Sequence, residues 1–211
     1  MSTRQVAAKA RSPRARNGEP PRAWQRMLSG RRLDLLNPSP FDIEIEDIAH
    51  GLARVARWNG QTRGEHAFSV AQHSVVVEDL TAHLAPGLSA EGRLTALLHD
   101  APEFVIGDMI SPFKAALGLD YRAFEARLEA AVHVRFGLPA KPPTPLKTAI
   151  KKADMVCAYF EAVHLAGFSP DEARRFFGSP PDGLTIDVTP WPTNEAQARY
   201  MQRFRALISE V

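Results

Sequence analysis

The chain has 211 residues, 45% of them hydrophobic and 24% charged, with a formal net charge of +2, which is an ordinary globular composition and enough for one sizeable core. A single cysteine, Cys157, excludes an internal disulfide framework and a Cys-rich zinc site. No apolar run approaches the ~20 residues of a membrane span, and the basic N-terminus lacks the apolar stretch of a secretory signal, so the sequence reads as cytoplasmic.

Residues 1–32 carry nine Lys/Arg against one acid, Glu19, so the high pI belongs to this arm and the rest of the chain is net acidic. Such an arm could touch nucleic acid. It is rich in Arg, Pro and Ala and offers one aromatic, Trp24, for stacking. We read residues 1–40 as a basic, partly disordered extension and residues 41–211 as one domain.

Within that domain the spacing of Ile45, Ile48, Leu52 and Val55 predicts a helix over 45–55. A polar stretch with Gly60 and Gly64 follows. A longer helix is expected from Glu65 to His83, ending near Pro86-Gly87. Ser89 is a candidate N-cap for the next helix, which carries Leu94, Leu97 and Leu98 into His99-Asp100 and is ended or kinked by Pro102. Asp120 can cap a helix to Phe136, closed by Gly137. Thr144-Pro145 starts another that runs to Ala166, and Cys157 within it reads as a buried structural thiol. Ser169-Pro170-Asp171-Glu172 combines proline at the first helical position with a capping box for a short helix to Phe177. Thr193 opens the last helix, with Ala196, Tyr200, Phe204 and Leu207 on one face. No strand pair competes, so the fold class is all-α, a bundle of roughly six to eight helices.

Three of these apolar helical segments carry sparse polar signals. His73 stands in Val70-Ala71-Gln72-His73, His99-Asp100 follows Leu97-Leu98, and Asp154 stands in Ile150-Lys151-Lys152-Ala153-Asp154. Buried charge is costly unless paired or bound to metal. Two imidazoles and two carboxylates suit a borderline divalent cation that leaves positions open for water. Neighbouring residues on a helix diverge by about 100°, so His99 and Asp100 can reach one ion only at a helix end. Glu103 follows at a spacing from which it can orient or deprotonate a water. Asp108, after Gly107, offers a second acid. Each residue also has a plainer reading: His73 as a core histidine, Asp154 facing solvent beside Lys151, Asp108 as a turn-former, Glu103 on the surface. His66, seven residues before His73, is a rival ligand on nearly the same helical face.

Taken in order, Asp47-Ile48-Ala49-His50, Arg57-Trp58, Ser69-Val70-Ala71-Gln72-His73-Ser74, His99-Asp100-Ala101-Pro102-Glu103, Gly107-Asp108, Pro112-Phe113-Lys114 and Lys152-Ala153-Asp154 resemble the HD-domain metal-dependent phosphohydrolases. The closer likeness is to their compact bacterial and phage branch of nucleotidases (YfbR-like). The resemblance spans most of residues 41–160. It implies one divalent transition metal ion (Co, Mn, Zn, Fe or Ni) held by His73, His99, Asp100 and Asp154, with Glu103 and Asp108 needed for catalysis. It also implies Arg57 on the substrate phosphate with Trp58 beside the nucleotide, and Lys114 as a further phosphate cation. Gln72 departs from the pattern, in which Glu commonly precedes the metal histidine.

The function implied is phosphate release from 5′-deoxynucleoside monophosphates. The alternatives are a triphosphohydrolase acting on dNTPs and a non-catalytic ligand- or partner-binding module. The resemblance allows a homodimer.

Overall fold

The structure, a computed structural model, describes residues 23–109 and 119–211, with side chains from residue 122 in the second stretch. Among these residues the chain forms eight α-helices and one two-stranded hairpin. The helices are α1 (Ile45–Leu52), α2 (Val70–Leu84), α3 (Ala90–Leu97), α4 (Glu103–Ile106), α5 (Leu119–Arg135), α6 (Thr144–His164), α7 (Pro170–Phe177) and α8 (Thr193–Ile208). The all-α expectation holds.

The hairpin joins β1 (Trp24–Arg26) and β2 (Arg32–Asp34) antiparallel, with Gln25 opposite Leu33. It lies in the segment that the sequence assigned to the extension, and no strand pair was expected. Three-residue strands are too short to show an alternating pattern. What holds them is tertiary: Leu33 is fully buried in the main core, and Ser29 in the turn donates through N and Oγ to Asp47 Oδ1 and Oδ2 at 3.0 and 2.5 Å. Most of the basic arm, residues 1–22, lies outside the described residues.

α2 is the central helix. It packs against α6, α3 and α8 and touches α1. Residues from all around its circumference are buried, including Val70, His73, Val77 and Leu80 and the polar Gln72, Ser74, Glu78 and Thr81. The fold compensates each polar group, as burial requires. Ser74 Oγ donates to Val70 O at 2.9 Å and Thr81 Oγ1 to Val77 O at 2.7 Å. Glu78 accepts from Arg93 Nε at 2.6 Å and from Arg203 Nη1 of α8. α1 packs on α4 and α8, and α6 carries α7 on its other side.

The helix starts follow local chemistry. Ser69, Ser89 and Ser169 cap α2, α3 and α7 through their side chains, and Ser169–Glu172 forms the full capping box, a motif worth about 1 kcal/mol. Among the boundaries that differ from expectation, α1 ends at Leu52 rather than at Val55, and two others bear on the site. α2 begins at Val70, not near Glu65, because Ala56 and Ser69 form an antiparallel bridge. Arg57 N donates to Phe68 O and Val70 N to Val55 O in the same clamp. α3 ends at Leu97, about one turn before Pro102. The chain continues there through tight turns: His99 N bonds Ala96 O, Ala101 N bonds Leu98 O and Glu103 N bonds Asp100 O.

Candidate functional site

The tight turns after α3 turn His99 and Asp100 toward α2 and α6. His99 Nδ1 lies 2.8 Å from Ala96 O. A carbonyl only accepts, so that nitrogen carries a hydrogen, and Nε2 is the nitrogen that can offer a lone pair. His73, in the first turns of α2, is fully buried, with Nδ1 2.7 Å from Glu161 Oε1 of α6. The same logic leaves its Nε2 as the outward-facing nitrogen. The two rings are neighbours, tilted by 49° with centroids 5.3 Å apart.

The four residues expected to hold a metal come together here. Asp100 Oδ2 lies 3.2 Å from His99 Nε2 and 3.5 Å from His73 Nε2. Asp154 Oδ1, from α6, lies 3.4 Å from His73 Nε2, and its Oδ2 accepts from Lys151 Nζ at 2.8 Å. Burial acts to raise the pKa of both carboxylates, but the imidazoles beside them hold both well below the usual carboxylate range. The Nε2 atoms of His73 and His99 are both buried and lack a hydrogen-bond partner. Donor atoms of His73, His99 and Asp154 all lie within 4.8 Å of one another. Two imidazole nitrogens able to offer lone pairs, set against carboxylates and without a hydrogen-bond partner, are what a divalent cation would complete. The residues present fit such an ion.

Behind His73 lies a residue that sequence reasoning missed. Glu161 is fully buried on α6 and gathers four donors. Oε1 accepts from His73 Nδ1 at 2.7 Å and from Cys157 Sγ at 3.2 Å. Oε2 accepts from Arg57 Nε at 2.8 Å and from Trp58 Nε1 at 2.7 Å. Burial would raise its pKa, but Arg57 and His73 hold the carboxyl at about 2. Cys157 is buried as expected. Its thiol is pushed up to about 12, by burial first and then by Glu161, so it is a donor rather than a thiolate.

Arg57 therefore has two faces. Nε is committed to Glu161, while Nη1 stands 3.8 Å from Asp100 Oδ2. Trp58, expected beside a nucleotide, has its indole N–H on Glu161 and its ring against Phe168 and Phe177, with centroids 5.7 and 5.8 Å away. Both residues sit in a tight turn in which Trp58 and Asn59 adopt left-handed backbone, φ 57° and 51°. Non-glycine residues there cost roughly 1–2 kcal/mol each, and such strain concentrates at functional sites. The Glu161 bond and the aromatic contacts offset it.

Glu103 opens α4 and is buried. Asp108 follows Gly107, whose φ of 75° ends α4, and lies close enough to Arg57 to act on its charge. Lys114 lies outside the described residues. His66 is not on α2 at all; it precedes the bridge that starts the helix, which removes the helical-face argument for it as a rival ligand.

His99 and Asp154 open onto a cleft of about 260 Å³, also lined by Thr95, Glu129, Lys147 and Lys151. The two lysines, one turn apart on α6, were not singled out in the sequence, where Lys-rich helix faces are commonplace. A wider groove of about 870 Å³ runs between α2 and α8 past Asp79, Trp191 and Arg203, and holds none of the residues expected at the site. No helix among the described residues is long and apolar enough to cross a membrane.

No protein-family model matches the chain. Two relatives align with most of it. Uncharacterized protein RCAP_rcc00048 of Rhodobacter capsulatus is 60% identical over 191 residues, covering 89% of this chain and 96% of the relative. Uncharacterized protein YfdR of Escherichia coli (strain K12) is 31% identical over 166 residues, covering 79% of this chain and 85% of the relative. With that identity over that share of both lengths, the chain belongs to the family that contains RCAP_rcc00048 and YfdR.

Proposed function

We propose that this protein is a metal-dependent phosphohydrolase of the HD-domain kind acting on nucleotides, with 5′-deoxynucleoside monophosphates as the first substrates to test. One observation carries the reading: two buried imidazole nitrogens, His73 Nε2 and His99 Nε2, have no hydrogen-bond partner and face the carboxylates of Asp100 and Asp154 beside the Arg57 guanidinium.

In this reading His73, His99, Asp100 and Asp154 hold one divalent transition metal ion, Co, Mn, Zn, Fe or Ni. The ion would supply positive charge to a phosphoryl oxygen and acidify a water. Arg57 has Nη1 on the Asp100 side and takes the phosphoryl oxygens, balancing charge as it grows there. Its pKa is raised well above the ordinary arginine value: burial works against the charge, but Glu161 and Asp100 outweigh it. Arg57 thus remains cationic at any working pH. Glu103 orients and deprotonates the attacking water, and Asp108, within electrostatic reach of Arg57, shares that work or protonates the leaving oxygen. Lys147 and Lys151 add positive charge at the mouth of the cleft. A cytoplasmic setting, a homodimer and a bystander role for the basic arm complete the reading.

The test is a product-resolved screen. The protein is loaded separately with Co²⁺, Mn²⁺ and Zn²⁺ and offered ribo- and deoxynucleoside mono-, di- and triphosphates. The expected result is inorganic phosphate and a nucleoside from deoxynucleoside monophosphates, lost on chelation. Tripolyphosphate from dNTPs would shift the reading to a triphosphohydrolase. Stoichiometric metal uptake with no hydrolysis of any nucleotide would favour the non-catalytic module.

A further inference from the structure

The first two ligand candidates are held differently. His99 is fixed by a backbone carbonyl of its own turn, His73 by a buried charge on another helix. We propose that Glu161 is the positioning residue of this site, fixing the His73 ring with Nε2 turned to the cation and holding Arg57 at a set place beside the same cation. The proposal rests on the metal-site reading above for what Nε2 faces, but the geometry behind His73 stands without it.

All four groups on Glu161 donate to it, two per oxygen. A carboxylate meets this arrangement because it only accepts; no other side chain of this size has two acceptor-only oxygens. The pair on Oε2, Arg57 and the Trp58 indole, consists of obligate donors, one of them charged. Both members of the pair on Oε1 are adaptable: the His73 hydrogen can move from Nδ1 to Nε2, and the Cys157 thiol can turn its S–H away and accept weakly through sulfur. The network is therefore rigid on one side and convertible on the other.

That asymmetry makes Glu161→Gln a specific probe. A carboxamide has one acceptor oxygen and one donor NH₂. Turning the NH₂ toward Arg57 and Trp58 would leave two buried donors unpaired, a cost of ~1–3 kcal/mol for each. The oxygen therefore stays with Arg57 and Trp58, and the NH₂ faces His73 Nδ1, which must now accept. The imidazole hydrogen moves to Nε2, the position that a cation needs as a lone pair. Glu161→Gln would thus close the site through His73 without removing any ligand. A residue that merely neutralised Arg57 would change stability and leave the imidazole alone.

The experiment uses the full chain, Zn²⁺ as probe, calorimetric titration and ¹⁵N-imidazole NMR. In Zn²⁺-loaded wild type, His73 should carry a slowly exchanging hydrogen on Nδ1 and the ion on Nε2. Glu161→Gln should bind Zn²⁺ about 10- to 100-fold more weakly and lose the His73 Nδ1–H signal, with helix content by circular dichroism unchanged. Wild-type Zn²⁺ affinity together with an unchanged Nδ1–H signal in Glu161→Gln would overturn the proposal. Should that variant not fold, the wild type decides: His73 ligating through Nδ1 overturns the proposal, and a slowly exchanging Nδ1–H supports it. If wild type takes up no Zn²⁺, the metal-site reading falls separately. The His73 signals of metal-free wild type and Glu161→Gln then decide the role of Glu161, and no difference between them overturns it.

Discussion

Gln72 clamps Trp191 to the central helix: its Oε1 accepts from Trp191 N and its Nε2 donates to Thr189 O, both at 2.8 Å. Gln72 is fully buried, and both ends of its amide are used, so a donor and an acceptor are required at this one position. This accounts for glutamine where the resembled family commonly has glutamate before the metal histidine. A glutamate at this position would set a carboxylate against the Thr189 carbonyl. Gln72→Glu should therefore destabilise the fold by ~1–3 kcal/mol, read as a lower urea midpoint with an unchanged slope. A midpoint equal to wild type would show that the 189–191 segment has another anchor.

Metal uptake is the next prediction. A cation that binds only the folded chain raises the unfolding temperature by mass action. Wild type should therefore be stabilised by micromolar Co²⁺ or Mn²⁺, by about 3 kcal/mol once the free ion reaches ~100 times its dissociation constant. His99→Ala and Asp154→Ala should abolish that gain, because each removes a donor from a site with few to spare. Differential scanning calorimetry with and without the ion checks it. An Asp154→Ala chain that keeps the full ion-dependent shift would show that the ion sits elsewhere.

The parts of this site that were legible in the sequence are those whose signal is local. Ser89, Ser169 and Thr144-Pro145 mark their helices because caps work within three residues of the helix start. His73, His99-Asp100 and Asp154 stood out as polar residues in apolar surroundings. Glu161 did not, although it touches His73: it is 88 residues from His73 and 104 from Arg57, and a glutamate in a helix is unremarkable by itself. The start of α2 and the hairpin were hidden for the same reason, since the Ala56–Ser69 bridge and the Leu33 burial join distant pieces of chain. α2 also lacks a polar face, so periodicity could not mark its bounds.

Chemistry can be separated from metal holding at Glu103. It is buried at the start of α4, three residues beyond Asp100, and is not among the converging donors of the metal group. Glu103→Ala should keep metal affinity within a few-fold while lowering turnover by about 10²–10⁴-fold, the usual size of a general acid–base contribution. Asp108→Ala acts on the same step, so the double variant should lose less than the product of the two single losses. Single-turnover phosphate release with metal content measured on the same samples checks both. Loss of the ion in Glu103→Ala would move Glu103 into the metal site.

Stability should also depend on pH through His133, a buried residue of α5 that is not among the ligand candidates. It is fully buried on α5, and neither ring nitrogen makes a well-formed hydrogen bond. Burial lowers its pKa from 6.5 to about 4; the Pro139 backbone, which favours the proton, does not offset this, and Lys147 adds to the lowering. The sign follows from proton counts. Above pH 6.5 both folded and unfolded chains hold a neutral imidazole, and His133 contributes nothing to the pH slope. Between 6.5 and about 4 the unfolded chain takes up a proton that the folded chain refuses, so stability falls as pH falls, by up to ~1.4 kcal/mol per unit. Below about 4 both are protonated and the slope from this group vanishes. His133→Leu removes the titration and fills a similar apolar space. The difference in unfolding free energy, variant minus wild type, should be flat above pH 6.5 and should grow by roughly 3 kcal/mol on going down to pH 4. Taking the difference cancels the carboxylates common to both chains. A difference that stays constant from pH 8 to pH 4 would mean that the folded chain accepts the proton on His133 as readily as the unfolded one does.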